Sequence, residues 1–184
     1  MRQPSLQRLP GRILTALATG AAVLACGMSL SACTPKYDWR DVRGESAPFT
    51  VLLPAKPSVL SRPVNLGGIQ ASMTMTAAEV GDVTFAVGTA ELPDAAQAQA
   101  ALLVMKDTLV KNIGGVIRHE KSTSGKNLST IELDAAGSGG GTARALHARL
   151  VARDRRVYQA IVIGPDKAIR QEAVDTFLTS FKVE

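Results

Sequence analysis

From Ile69 the chain alternates strictly: Ile69, Ala71, Met73, Met75 and Ala77 are apolar, and Gln70, Ser72, Thr74 and Thr76 between them are polar. A period of two puts one set on a buried face and the other on a wet one, which predicts a strand over 69–80. Gly81-Asp82 makes a tight turn into a second strand, 83–92, so the two form a hairpin. Upstream, 49–53 is a short β-rich run stopped by Pro54 and Pro57. The segment 59–66 is an edge or irregular strand, because Pro63 has no N–H to give to a ladder.

After Pro93 the period changes. Ala98, Leu102, Met105, Leu109 and Ile113 recur at spacings of three and four, one apolar stripe with Lys106, Asp107 and Lys111 elsewhere, and this predicts a helix over 95–113. Asp94 supplies the N-cap acceptor and Gly114-Gly115 the C-terminal stop. Strands follow at 116–124 and 129–136 around a turn containing Gly125. A glycine-rich connection over 137–141 leads to a second hairpin, 143–153 and 156–163, turning at Asp154-Arg155. Gly164-Pro165-Asp166 then caps a last helix over 167–180, with Ile169, Ala173 and Phe177 inward and Phe181 just beyond. This order predicts an α+β domain, a largely antiparallel sheet packed by two main helices.

The residues before Phe49 are of another kind. Residues 33–48 are polar with few aliphatics and are expected to be a tether. Its Tyr37 and Trp39 fit either a lipid interface, where amphipathic rings are favoured, or packing on the domain. Residues 1–12 hold Arg2, Arg8 and Arg12 and no acid, and 13–30 run ILTALATGAAVLACGMSL without a charge. A basic start and an apolar run form a secretory signal. An 18-residue run is also at the short limit for an uncleaved span, about 17–25 residues.

Leu30-Ser31-Ala32-Cys33 ends that run and resembles the lipobox of bacterial lipoproteins: an aliphatic residue, two small residues and a cysteine. The resemblance implies a signal peptide over 1–32, cleavage before Cys33 and diacylglycerol on its sulfur, with the new amine acylated as well. Val23-Leu24-Ala25-Cys26 matches less well, since bulky Leu24 stands where a small residue is preferred. Two or more acyl chains, at about 0.8 kcal/mol per buried CH₂, anchor a protein stably. In enterobacterial lipoproteins an Asp after the cysteine favours the inner membrane. Thr34 stands there, so the resemblance implies the outer membrane, with the domain in the cell envelope facing the periplasm.

The order of elements over 49–184, the opening Phe49, Val51, Pro54, Lys56, Pro57 and the close Phe177, Leu178, Ser180, Phe181 resemble the PsbP-like fold. Many bacterial lipoproteins of unknown function share that fold, and its named branch, extrinsic subunits of photosystem II, lends no active site to carry over.

Charge and chemistry narrow the choice further. The net +5 comes largely from the leader: from Cys33 onward there are 18 basic and 16 acidic residues, or +2. No basic stripe interleaved with aromatics calls for nucleic acid. With Cys33 acylated, the mature chain has no thiol left for a disulfide or metal site. His119 and His147 lie on different predicted strands. Glu120 beside His119 points to the opposite face, and no carboxylate is placed beside either ring, so no metal site or general base is assembled. No G-x-S-x-G is present, and Gly137–Gly141 lacks the Lys-Ser/Thr of a phosphate loop and opens a strand. Arg149, Arg153, Arg155 and Arg156 form the densest basic cluster: either a contact surface for anionic lipid at a hairpin tip, or a solvated turn around Asp154.

The expectation is therefore a membrane-anchored, non-catalytic binding or assembly module with no cofactor, held by acyl chains on Cys33 and meeting an envelope protein. A carrier of small molecules or lipid would need a deep apolar cavity. A hydrolase would need His119 or His147 in a buried cluster with carboxylates.

Overall fold

A computed structural model describes residues 36–45, 47–138 and 141–184. The expected signal peptide and Cys33 lie outside the described residues, as do Gly139 and Gly140 of the glycine-rich connection. The strands are β1 (Arg40–Arg43), β2 (Phe49–Leu53), β3 (Ser58–Leu66), β4 (Ile69–Val80) and β5 (Val83–Glu91), then β6 (Gly115–Ser124), β7 (Leu128–Gly137), β8 (Arg144–Arg153), β9 (Arg156–Pro165) and β10 (Lys182–Val183). Helix α1 (Ala95–Asn112) divides the two groups, and α2 (Gln171–Ser180) precedes β10.

The main sheet has seven strands in the order β3-β4-β5-β9-β8-β7-β6, every pair antiparallel. α1 crosses one face of it and delivers the chain to the far edge, where β6 begins. A small sheet, β1-β2-β10, packs with α2 on the other face. The fold is α+β, as the pattern predicts.

Each face has its own core. Under α1, Ala98, Ala101, Leu102, Met105 and Leu109 meet Ile131, Leu133, Leu146, Leu150 and Ile161. The Asp94 carboxylate accepts from the Gln97 amide at 2.8 Å and starts that helix. Under α2, Ala173, Val174 and Phe177 meet Phe85, Val87, Tyr158 and Val162, with Val51 and Leu53 of β2 closing the side. Phe177 and Phe85 meet edge to face, ring centroids 5.6 Å apart. The central strands are covered on both faces. That is why Thr76, expected on a wet face of β4, is buried: the second layer reaches over its end of the strand.

Two segments depart from the sequence expectation. The expected tether is folded from Lys36 onward: β1 pairs with β2, and Tyr37 and Trp39 set their rings 6.4 and 6.3 Å from Phe85. With only Val42 apolar among four residues, β1 is too short to show a period. Gly44 permits the return to β2, since a Cβ there would run into the Phe49 ring and the Ala47 carbonyl. The last helix starts at Gln171 instead of 167. A 3₁₀ turn fills Asp166–Ala168, and Ile169 (φ −75°, ψ 129°) and Arg170 are extended before the helix begins.

Candidate functional site

Antiparallel pairing sets residues of neighbouring strands side by side, and on the α2 face of β6, β7 and β8 it collects the polar residues of the domain. His119 pairs with Asp134, which pairs with His147. Two residues along, Lys121 pairs with Glu132, which pairs with Arg149. The first row is therefore imidazole, carboxylate, imidazole, and the second is cation, carboxylate, cation. A β-bulge between Ile117 and His119 produces this match. With regular pairing in place of the bulge, Arg118 would stand opposite Asp134, and His119 would turn to the α1 face.

Apart from Lys121, the rows form the floor of an open groove of about 220 Å3, whose wall is α2 with Gln171, Asp175, Leu178 and Thr179. Most of the groove's polar groups hold one another. His147 Nδ1 donates to Asp134 Oδ1 at 2.6 Å, and Arg149 Nε donates to Glu132 Oε1 at 2.8 Å. A second Arg149 nitrogen donates to the Leu178 carbonyl at 2.8 Å, within the last turn of α2. A cation is favoured there by the helix dipole. On α2 itself, Gln171 donates to Asp175 at 2.8 Å.

This corrects the expectation that neither histidine has a carboxylate beside it: Asp134 sits between them. A strand residue has neighbours on adjoining strands as well as along its own, and those depend on a register that local spacing does not state. Glu120, by contrast, is on the far face as expected and takes Lys106 of α1 at 3.2 Å. Among the described residues, no group of three or more His, Cys, Asp and Glu side chains is arranged to hold a metal ion.

Chemically, a carboxylate on Nδ1 fixes an imidazole's tautomer and orientation and leaves Nε2 to act. That is two-thirds of a nucleophilic triad. Thr179 brings a hydroxyl to the same groove, and no hydrogen bond joins it to His147.

The four arginines do not form one patch. Arg149 lies under α2, and Arg153 donates to the Val183 carbonyl at 2.9 Å. Arg155 and Arg156 both reach Glu91 on β5, Arg156 at 3.3 Å. The turn between β8 and β9 uses Asp154 at φ 51°, a left-handed conformation that Asp tolerates. At the opposite side of the domain, a second groove of about 320 Å3 runs between α1 and the β6–β7 end, lined by Leu102, Leu103 and Ile131 with Gln99, Ser122 and Ser124.

No protein-family model matches the chain, and no curated protein matches it.

Proposed function

We propose that the chain is a bacterial envelope lipoprotein with a PsbP-like domain, anchored by acyl chains on Cys33 at the outer membrane, and that it works as a non-catalytic binding or assembly module. Edge strand β6 carries this reading. From Ile117 to Ser124 every residue is exposed, Val116 is 69% exposed, and among the described residues β7 is the one strand paired with β6. Such an edge offers a row of backbone donors and acceptors that an extended segment of a partner can complete as an added strand. Its apolar start, Val116 and Ile117, offers side-chain contact, while Arg118, Glu120 and Lys121 discourage indiscriminate pairing. Among the described residues no helix is long and apolar enough to cross a membrane. The attachment in this reading is the lipid proposed on Cys33.

Affinity capture from detergent-solubilised envelopes tests the reading, with the native chain compared with Val116→Asp/Ile117→Asp. A protein retained by the native chain and lost from the double variant supports it. Identical captures from both would contradict it.

The Asp134–His147 pair favours a second reading, a small hydrolytic centre with His147 as general base. Turnover of generic ester, phosphate or peptide substrates, abolished by His147→Ala and by Asp134→Ala, would replace the first reading with this one.

A further inference from the structure

We infer that the face of the domain bearing Lys36, Tyr37, Trp39 and Lys56 lies directly on the lipid headgroups, so that the domain has a fixed orientation on the membrane. The inference rests on the proposed acylation of Cys33 and adds to it a surface and a partner, the bilayer itself.

The first observation is a length. Lys36 already belongs to the described domain, so at most Thr34 and Pro35 lie between that domain and Cys33. Three residue steps reach at most about 11 Å. The headgroup layer is itself roughly 5–7 Å thick on each side of the bilayer. A domain tied that closely cannot swing free on a leash, as it could if residues 33–48 were a tether. Whatever surrounds Lys36 must meet the headgroups.

The second observation is the chemistry of what surrounds Lys36. Tyr37 and Trp39 are half-buried, their rings 5.6 Å apart. One side packs on Phe85, so the rings are held rigid and pay little entropy to meet another surface. Amphipathic rings of this kind are the side chains that the interface between lipid and water favours. The Lys36 ammonium sits 5.5 Å from the centre of the Tyr37 ring. The Asp38 amide donates to the Pro54 carbonyl at 2.8 Å, which brings the loop carrying exposed Lys56 to the same end. Asp38 and Arg40 pair with each other, leaving the two lysines to meet phosphate groups. Packing on the domain and meeting lipid, alternatives when the sequence is read alone, are compatible here: one side of the ring pair does each.

Trp39 is the chain's single tryptophan, so its fluorescence reports on this face alone. The mature lipoprotein is reconstituted into vesicles of phosphatidylethanolamine and phosphatidylglycerol, with and without a lipid that carries a nitroxide on its headgroup. The expected result is loss of Trp39 emission in the nitroxide vesicles, weakened in a Lys36→Glu/Lys56→Glu variant. Protein that floats with the vesicles, acylated, while Trp39 stays unquenched would overturn this inference and leave the anchor standing. Protein that neither floats nor carries an acyl group on Cys33 would overturn both.

Discussion

His147 and Asp134 face each other across the β7–β8 ladder, with imidazole Nδ1 2.6 Å from carboxylate Oδ1. The pair joins two strands at the floor of a groove. Arg149, two residues along β8, ties Glu132 of the same two strands to α2. The groove is thus first of all a set of cross-links within the sheet, which Arg149 extends to the terminal helix.

A double-mutant cycle measures the first of these links. His147→Ala and Asp134→Ala, alone and together, should give a coupling of about 0.5–1.5 kcal/mol in urea unfolding, the net value of a half-exposed hydrogen bond to a charged or neutral ring. Strict additivity would mean that the contact contributes nothing to stability.

Phe177 has no exposed surface and meets Phe85 edge to face. Phe177→Ala should cost about 3–5 kcal/mol, which lowers the melting temperature of the domain from Thr34 onward by roughly 10 °C or more. Leu103→Ala, on the open side of α1, should change it little, since Leu103 is 56% exposed. Equal effects would mean that the inner face of α2 has been misassigned.

The α1 stripe, Ala173 and Phe177 of α2, and most strand limits were legible because each rests on a local period. Asp94, Gly114 and the alternation after Ile69 do their work within a few residues of sequence. The candidate site was not legible, because it depends on register. Asp134 and His147 are 13 residues apart across a connection of unstated geometry, and one residue of slip would turn every side chain of β8 to the other face. The bulge before His119 is likewise invisible in a run as plain as G-V-I-R-H-E-K. Lys36–Arg43 departs from its composition for a different reason: its polar character is real, but two aromatic rings on Phe85 and one short strand suffice to fold it.

Gly88 stands inside β5 between Met75 and Gln159, whose side chains fill the space a Cβ would take: Met75 Sδ would be 2.6 Å and Gln159 Cγ 2.8 Å away. Strand preference favours valine over glycine, but overpacking costs about 1–3 kcal/mol and should win. Gly88→Val should therefore destabilise the domain, and adding Met75→Ala should relieve part of the loss. A stabilising Gly88→Val would show that the two neighbours move aside freely.

Tyr158 is buried in the α2-side core, and burial raises its pKa above the ordinary 10.0. The folded chain then keeps the phenol proton where the unfolded chain has released it, so the unfolded state binds fewer protons and stability falls as pH rises beyond 10. Tyr158→Phe should lack that component. Comparing urea midpoints at about pH 8 and about pH 11, the native chain should lose more than the variant, and equal losses would argue against a buried phenol.

Location at a membrane underlies the whole functional account, and it hangs on one sulfur atom. Cells grown with a clickable palmitate, expressing the native chain, Cys33→Ser or Cys26→Ser, read it directly after gel separation. The account predicts label on the native chain and on Cys26→Ser, and an unlabelled, uncleaved precursor for Cys33→Ser. Label that persists in Cys33→Ser and vanishes in Cys26→Ser would contradict it.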